Sequence, residues 1–220
     1  MTQETIHEEE RAGYTIKIYP DYDYQDTPDK WGDDGMFLVA FHRDFTVERD
    51  GFGVETMRAV MNKGKDEDDE KDERAMEILH DYHVFGLEAY IHSGVSLALS
   101  QGGNYPDRRW DVSQLGVVMV SKKEFRLRKT AHAQALELLK SWNACLSGSV
   151  YGFVVEKDGE YVDSCWGFVE TEYPIEKTYV LAEARSIADW NYKDSLKKHV
   201  AKRKEQIQKH VPLYARTALA

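Results

Sequence analysis

Apolar residues recur along this chain with two different periods, and the switches between them divide it into strands and helices. Tyr14, Ile16 and Ile18 alternate with polar neighbours, which predicts a strand over residues 14–19. The unbroken apolar run 36–41 reads as a central strand, and 87–91, 95–99 and 115–120 read as further strands. Helical spacing takes over at 54–62 through Val54, Met57, Val60 and Met61, again at 75–83, and most clearly at 130–146. Residues 122–128 read as the start of a basic helix. Gly148 stands where a helix C-cap belongs. Beyond Pro174 a sparse stripe of Ile187, Trp190, Leu196, Val200 and Ile207 predicts a helix to about residue 209.

The sharpest local signal is the stretch 151–168, in which two apolar alternating runs flank Lys157-Asp158-Gly159-Glu160. Asp-Gly between alternating runs predicts a β-hairpin. Strands adjoin mostly as hairpins and helices lie between them. The expected fold is therefore α+β, with a mostly antiparallel or mixed sheet, flanking helices and a long C-terminal helix. The expected organisation is a frayed segment 1–12, a core domain 13–172 with an acidic insertion at about 64–74, and a helical extension 173–220.

Charge adds an asymmetry to this picture. The chain of 220 residues carries a net charge of −10. Residues 1–75 hold 21 acidic and 10 basic residues, whereas 193–220 hold 8 basic and 2 acidic. No apolar run approaches the ~20 residues that span a bilayer, and the acidic N-terminus lacks the basic and apolar regions of a signal peptide. Cys145 and Cys165 are the only cysteines, as suits a reducing compartment. The expectation is a cytoplasmic protein with no membrane association.

Candidate chemistry is thin. His80 and His83 stand three apart, yet no third ligand follows at metal-binding spacing, so a helix end with one buried and one exposed His is the better account. Cys165 lies mid-strand on the face of Asp163 and reads as an apolar filler, while Trp166 on the other face is a core-anchor candidate. No phosphate-binding glycine loop occurs, and Gly102-Gly103 lacks a following helix. The basic segments 122–129 and 197–204 read as solvated helix faces. No catalytic residue, metal site or cofactor is assigned.

Four blocks occur in order: Pro28-x-x-Trp31 with Gly35 and Phe41-His42-Arg43; Ala89-Tyr90-x-His92-Ser93-Gly94-Val95; Trp110-Asp111-x-Ser113-Gln114-x-Gly116; and Asp163-Ser164-Cys165-Trp166-Gly167-Phe168. Together they resemble a widespread group of phage and prophage proteins, over roughly residues 13–170. That group supplies no catalytic residues to carry over. The acidic insertion and the long terminal helix depart from its shorter members.

The resemblance and the charge imply a phage accessory protein, in a bacterial host's cytoplasm, that inhibits a defence or nucleic-acid-handling protein of the anti-CRISPR or anti-restriction type. A DNA-mimicking surface would be built from Asp21, Asp23, Asp26, Asp29, Asp33 and Asp34 with Asp66, Glu67, Asp68, Asp69 and Glu70, anchored by Trp31, Tyr22 and Tyr24. The run 66–70 taken alone reads as a solvated loop. The expected partner is a host protein, with no direct DNA binding. One alternative is a pocket for a small phosphorylated signal such as a cyclic nucleotide, made by His42, Arg43, His92, Arg109, Trp110 and Asp111. Another is a virion assembly component that oligomerises through the terminal helix.

Overall fold

Nine strands and four α-helices form among the described residues of the computed structural model, namely 4–31, 35–62, 69–92, 94–100, 102, 103, 105, 111–210 and 212. The protein is α+β, as its hairpin-rich pattern predicts. The elements run β1 (His7–Arg11), β2 (Tyr14–Pro20), β3 (Met36–His42), β4 (Phe45–Val47), α1 (Val54–Met61), α2 (Asp69–Asp81), β5 (Tyr82–Ile91), β6 (Val95–Leu99) and β7 (Val112–Ser121). There follow α3 (Arg128–Leu146), β8 (Val150–Lys157), β9 (Glu160–Val169) and α4 (Tyr179–His210). No helix of the described residues is long and apolar enough to cross a membrane.

Two compact units divide the chain differently from the expected core and extension. One is discontinuous, residues 1–22 with 150–220, and the other is the central stretch 23–149. The terminal helix therefore belongs to a folding unit of its own with both ends of the core, because its apolar residues cover the sheet that those ends build.

That sheet is antiparallel in the order β1-β2-β8-β9. Ile16, Ile18, Phe153 and Val155 project from its middle strands and are fully buried against Val180, Leu181, Ala184 and Ala188 of α4. The small residues of the helix let it lie close to the sheet. Glu170 stabilises the helix start, its carboxylate accepting the Val180 amide at 2.6 Å where the helix dipole favours negative charge. Residues 7–11, expected to be frayed, form the edge strand β1. Ion pairs hold it: Arg185 grips Glu9 through two bonds of 2.7 and 2.6 Å, and Arg11 grips Asp189 at 2.9 and 2.8 Å. The β8–β9 turn places Asp158 and Gly159 at φ of 52° and 78°, as a two-residue I′ hairpin demands.

The central unit is a five-stranded antiparallel sheet, β4-β3-β7-β5-β6, covered on both faces. Helix α3 packs Ala131, Ala135, Leu138, Leu139 and Trp142 on Leu38, Leu87, Leu97 and Val118. On the opposite face, α1 and α2 set Met57, Val60 and Ile78 against Phe37, Val39, Val117 and Met119. Burial on two sides is why β3 reads as an unbroken apolar run. Helix α3 ends as expected: Gly148 at φ 72° closes a Schellman pair, its amide reaching Cys145 O while Ser149 N reaches Ala144 O. Asn143 fastens β6 to this helix, exchanging bonds of 2.7 and 2.9 Å with the backbone of Leu97.

Residues 122–127 are not helical, and α3 begins at Arg128. The cations there have structural partners: Lys122 Nζ donates to the Leu79 carbonyl near the end of α2, and the Arg128 guanidinium lies 4.5 Å over the Phe85 ring.

Two predictions follow from packing and charge. A Cβ at Gly116, in the middle of β7, would fall on the carbonyl oxygen of Val39 in the neighbouring strand. Gly116→Ala should lower stability by about 1–3 kcal/mol, seen as a lower melting temperature with wild-type circular dichroism below the transition. The Arg185 bonds hold the Glu9 carboxyl below its ordinary range, and the Arg11 bond does the same to Asp189. Depressed carboxyl values contribute stability above the unfolded value, lost as pH falls through the folded one. Denaturant midpoints taken below about pH 4.5 should therefore fall less steeply in Glu9→Gln than in wild type.

Candidate functional site

The acidic loop after β2 is split by the division between units. Asp21 lies in the discontinuous unit and is committed there: its amide donates to Val150 O at 2.8 Å and its carboxylate accepts the Gly167 amide at 3.0 Å. Asp23 to Trp31 belong to the central unit. Asp23, Asp26 and Asp29 are exposed around a 3₁₀ turn, Pro28–Lys30, seated on buried Pro28. Asp26 faces Lys30 at 3.8 Å. Trp31 is 46 % exposed, and its indole N–H donates to Tyr24 Oη at 3.1 Å, so the ring is oriented rather than free to swing. Tyr22, expected as a second anchor, is exposed but lies in the other unit. Asp33, Asp34, Asp66, Glu67 and Asp68 fall outside the described residues, as do the side chains of Asp69 and Glu70, whose backbone opens α2.

A second acidic surface was not foreseen. On α2, Glu73, Glu77 and Asp81 border a cleft of about 710 Å³ floored by Phe52, Ile78 and Tyr82. An adjoining cleft of about 640 Å³ shares Phe52 and is bordered by Glu48, Asp50 and Val54. Arg74 pairs with Glu77 at 2.8 Å, and His80 with Asp81 at 2.8 Å. Glu48, Asp50 and Glu73 bond no described cation. Met76, on the exposed side of α2, is 56 % exposed in the middle of these carboxylates.

The structure does not assemble the proposed phosphate pocket. His42 pairs with Phe45, which packs on the α3 side of the central sheet. His92 follows the alternation of Glu88 and Tyr90, whose neighbours Leu87, Ala89 and Ile91 face α3, so it projects from the opposite side. A two-residue period with a sheet between them separates the two imidazoles. His42 Nδ1 accepts the Asp44 amide at 3.2 Å, and Arg43 reaches the same Asp44 carboxylate at 3.1 Å. Asp111 is half-buried at the entry to β7, and Arg109 and Trp110 lie outside the described residues.

What does gather beside His92 is a buried carboxylate. Glu88 is fully buried mid-strand; it accepts the Gly103 amide at 3.2 Å, and Gln114 Nε2 approaches it at 3.5 Å from the neighbouring strand. Gln114 Oε1 in turn accepts Ser100 Oγ at 2.8 Å. Tyr90 stacks on both His92 and Tyr105, with ring centroids at 6.1 and 5.3 Å. The signal for this network was a single Glu in the apolar strand Phe85-Gly86-Leu87-Glu88-Ala89-Tyr90-Ile91, which sequence reasoning passed over. A buried carboxylate demands such partners, and the bond from the Gly103 amide ties that residue to β5.

The two remaining candidates resolve structurally. His80 is exposed while His83 is buried and donates Nε2–H to Phe125 O at 2.9 Å, the arrangement of one exposed and one buried His. Among the described residues no group of three His, Cys, Asp or Glu side chains is placed to hold a metal ion. Cys165 stands opposite Phe153 on the helix side of its sheet, as alternation predicts, yet it is exposed rather than a buried filler. The reason is position: β9 is the edge strand. Trp166 is likewise no core anchor; it is 41 % exposed and stacks on Tyr19 over Gly152.

Comparison with family models, with curated proteins and with solved structures returned no match.

The two thiols should differ in reactivity. Burial pushes the Cys145 thiol up to about 11, whereas Cys165 is exposed. Native protein treated with iodoacetamide near pH 8 should label Cys165 well before Cys145. Peptide mass spectrometry reads the order, and equal labelling of both would contradict this burial.

Proposed function

We propose that this chain is a non-catalytic binding protein whose acidic surface on the central unit docks into a basic nucleic-acid site of a host protein, in the manner of a phage anti-defence factor. The observation that carries the reading is Trp31, an exposed aromatic held by Tyr24 in a loop that also exposes Asp23, Asp26 and Asp29. An oriented aromatic supplies an anchor at low entropic cost, and the carboxylates steer it towards positive potential. Asp21 belongs to the discontinuous unit, where its carboxylate accepts the Gly167 amide. The resemblance to phage and prophage proteins supports the same class of role, with the bacterial cytoplasm as its setting.

The pocket reading for a phosphorylated signal loses its support, since His42 and His92 project from opposite faces of one sheet. The assembly reading keeps one observation in its favour, the exposed distal half of α4.

The test is displacement of labelled DNA from a panel of purified bacterial defence complexes, both CRISPR effectors and restriction enzymes. Wild type should displace DNA from at least one complex, with an affinity that weakens as salt rises from about 50 to 500 mM. Combining Trp31→Ala with Asp26→Lys and Asp29→Lys should weaken displacement by at least about tenfold. Failure of the wild-type protein to displace DNA from any complex removes the proposal.

A further inference from the structure

Helix α4 is two helices in one. Up to Ala188 its small apolar residues are buried against the sheet. From Tyr192 to His210 it carries no buried residue and lies almost wholly in solvent. On a helical wheel Tyr192, Leu196, Val200 and Ile207 fall on one stripe about 80° wide. Leu196 and Val200 are 45 % and 49 % exposed, a placement that a lone soluble helix has no reason to keep. Lys193, Lys197 and Lys204 border the stripe and Arg203 interrupts it. The acids Asp194 and Glu205 lie across the helix, where Lys198 and Lys209 already pair with them at 2.7 and 2.6 Å. The face around the stripe is thus purely cationic.

The central unit bears the complement. Its α1–α2 face has exposed Met76 and Val54 beside adjoining clefts, with Glu48, Asp50 and Glu73 free of described cations at their rims. One surface is apolar with a cationic border; the other is apolar and anionic at Glu48, Asp50 and Glu73, while its cations Arg74, His80 and Arg49 are engaged by Glu77, Asp81 and the Phe37 ring. We propose that the distal half of α4 of one molecule docks in the α1–α2 clefts of a second copy of this chain. Leu196 and Val200 cover Phe52 and Met76, while Lys197 and Lys204 face Glu73 and the carboxylates of the neighbouring cleft.

Other occupants of the helix fit less well. Two such helices packed on each other would set like charges face to face. A phosphate backbone has no use for the apolar stripe, and a bilayer interface would receive only a narrow one with Arg203 inside it. The contact is head-to-tail, so it closes into a ring or continues as a chain. Its small apolar area puts it in the weak, concentration-dependent class. This inference is independent of the Trp31 surface and stands or falls separately from it.

Light scattering coupled to size exclusion, run over a concentration series, tests it. Average mass should rise with concentration at about 50 mM salt and return to the monomer value near 500 mM. Leu196→Asp with Val200→Asp, both at solvated positions, should abolish the rise while circular dichroism stays unchanged. Lys197→Glu/Lys204→Glu and Glu73→Lys/Glu48→Lys should each be monomeric alone, and mixing the two proteins should restore association. A monomer at every concentration in low salt overturns the proposal, as does association that survives these substitutions or a mixture that stays monomeric. Wild type that remains monomeric while its helix binds phosphatidylserine vesicles or a DNA duplex also overturns it, by giving the helix a different partner.

Discussion

Burial of β3 and β7 on both faces is the constraint on which the central unit depends. Their side chains alternate between α3 on one side and α1 with α2 on the other, so neither face is left to solvent over Phe37–Ala40 and Leu115–Val120. The layering stops at the loop 23–31, at the clefts beside α2, and at the end of the sheet near Glu88. The discontinuous unit follows a simpler rule. One face of its sheet is covered by α4, and the other carries half-exposed Lys17, Tyr19, Val154 and Trp166.

The charge asymmetry visible in the sequence acquires two meanings in three dimensions. Part of the acidic N-terminal charge is neutralised within its own unit, where Arg185 of the final helix clasps Glu9 and thereby secures an edge strand. That pair is partly buried and bidentate, the geometry in which an ion pair contributes to a fold rather than only decorating its surface. In the central unit Glu48, Asp50 and Glu73 pair with no described cation. The field of such a charge reaches roughly a Debye length into solvent, about 8 Å at physiological salt.

The elements legible in the sequence are those whose cause is local. Asp158-Gly159 and Gly148 announce their turns because only residues tolerant of positive φ fit there, and α3 declares itself by its buried stripe. What was illegible depends on distant partners. Strand β1 is His-Glu-Glu-Glu-Arg, without apolar alternation, since as an edge strand it is held by pairing with β2 and by arginine and aspartate on α4. Helix α2 yields to β5 at Tyr82, one residue before the helical pattern fades, because His83 pairs with Val120 and bonds Phe125 O far along the chain. The exposure of Cys165 and Trp166 needed the strand order, which places β9 at an edge. The separation of His42 from His92 was hidden for a similar reason: periodicity gives each strand's two faces, but only the packing of the sheet says which faces are shared.

Glu88 shows why a buried titratable group is not by itself an active site. A carboxylate taken wholly out of water must be bonded, and Glu88 spends its oxygens on the Gly103 amide and the Gln114 side chain. A general base needs an oxygen aimed into a space where substrate can stand. Here one bond runs to the neighbouring strand and one to Gly103, while the Tyr90 and Tyr105 rings stack beside them. The arrangement ties Gly103 to β5.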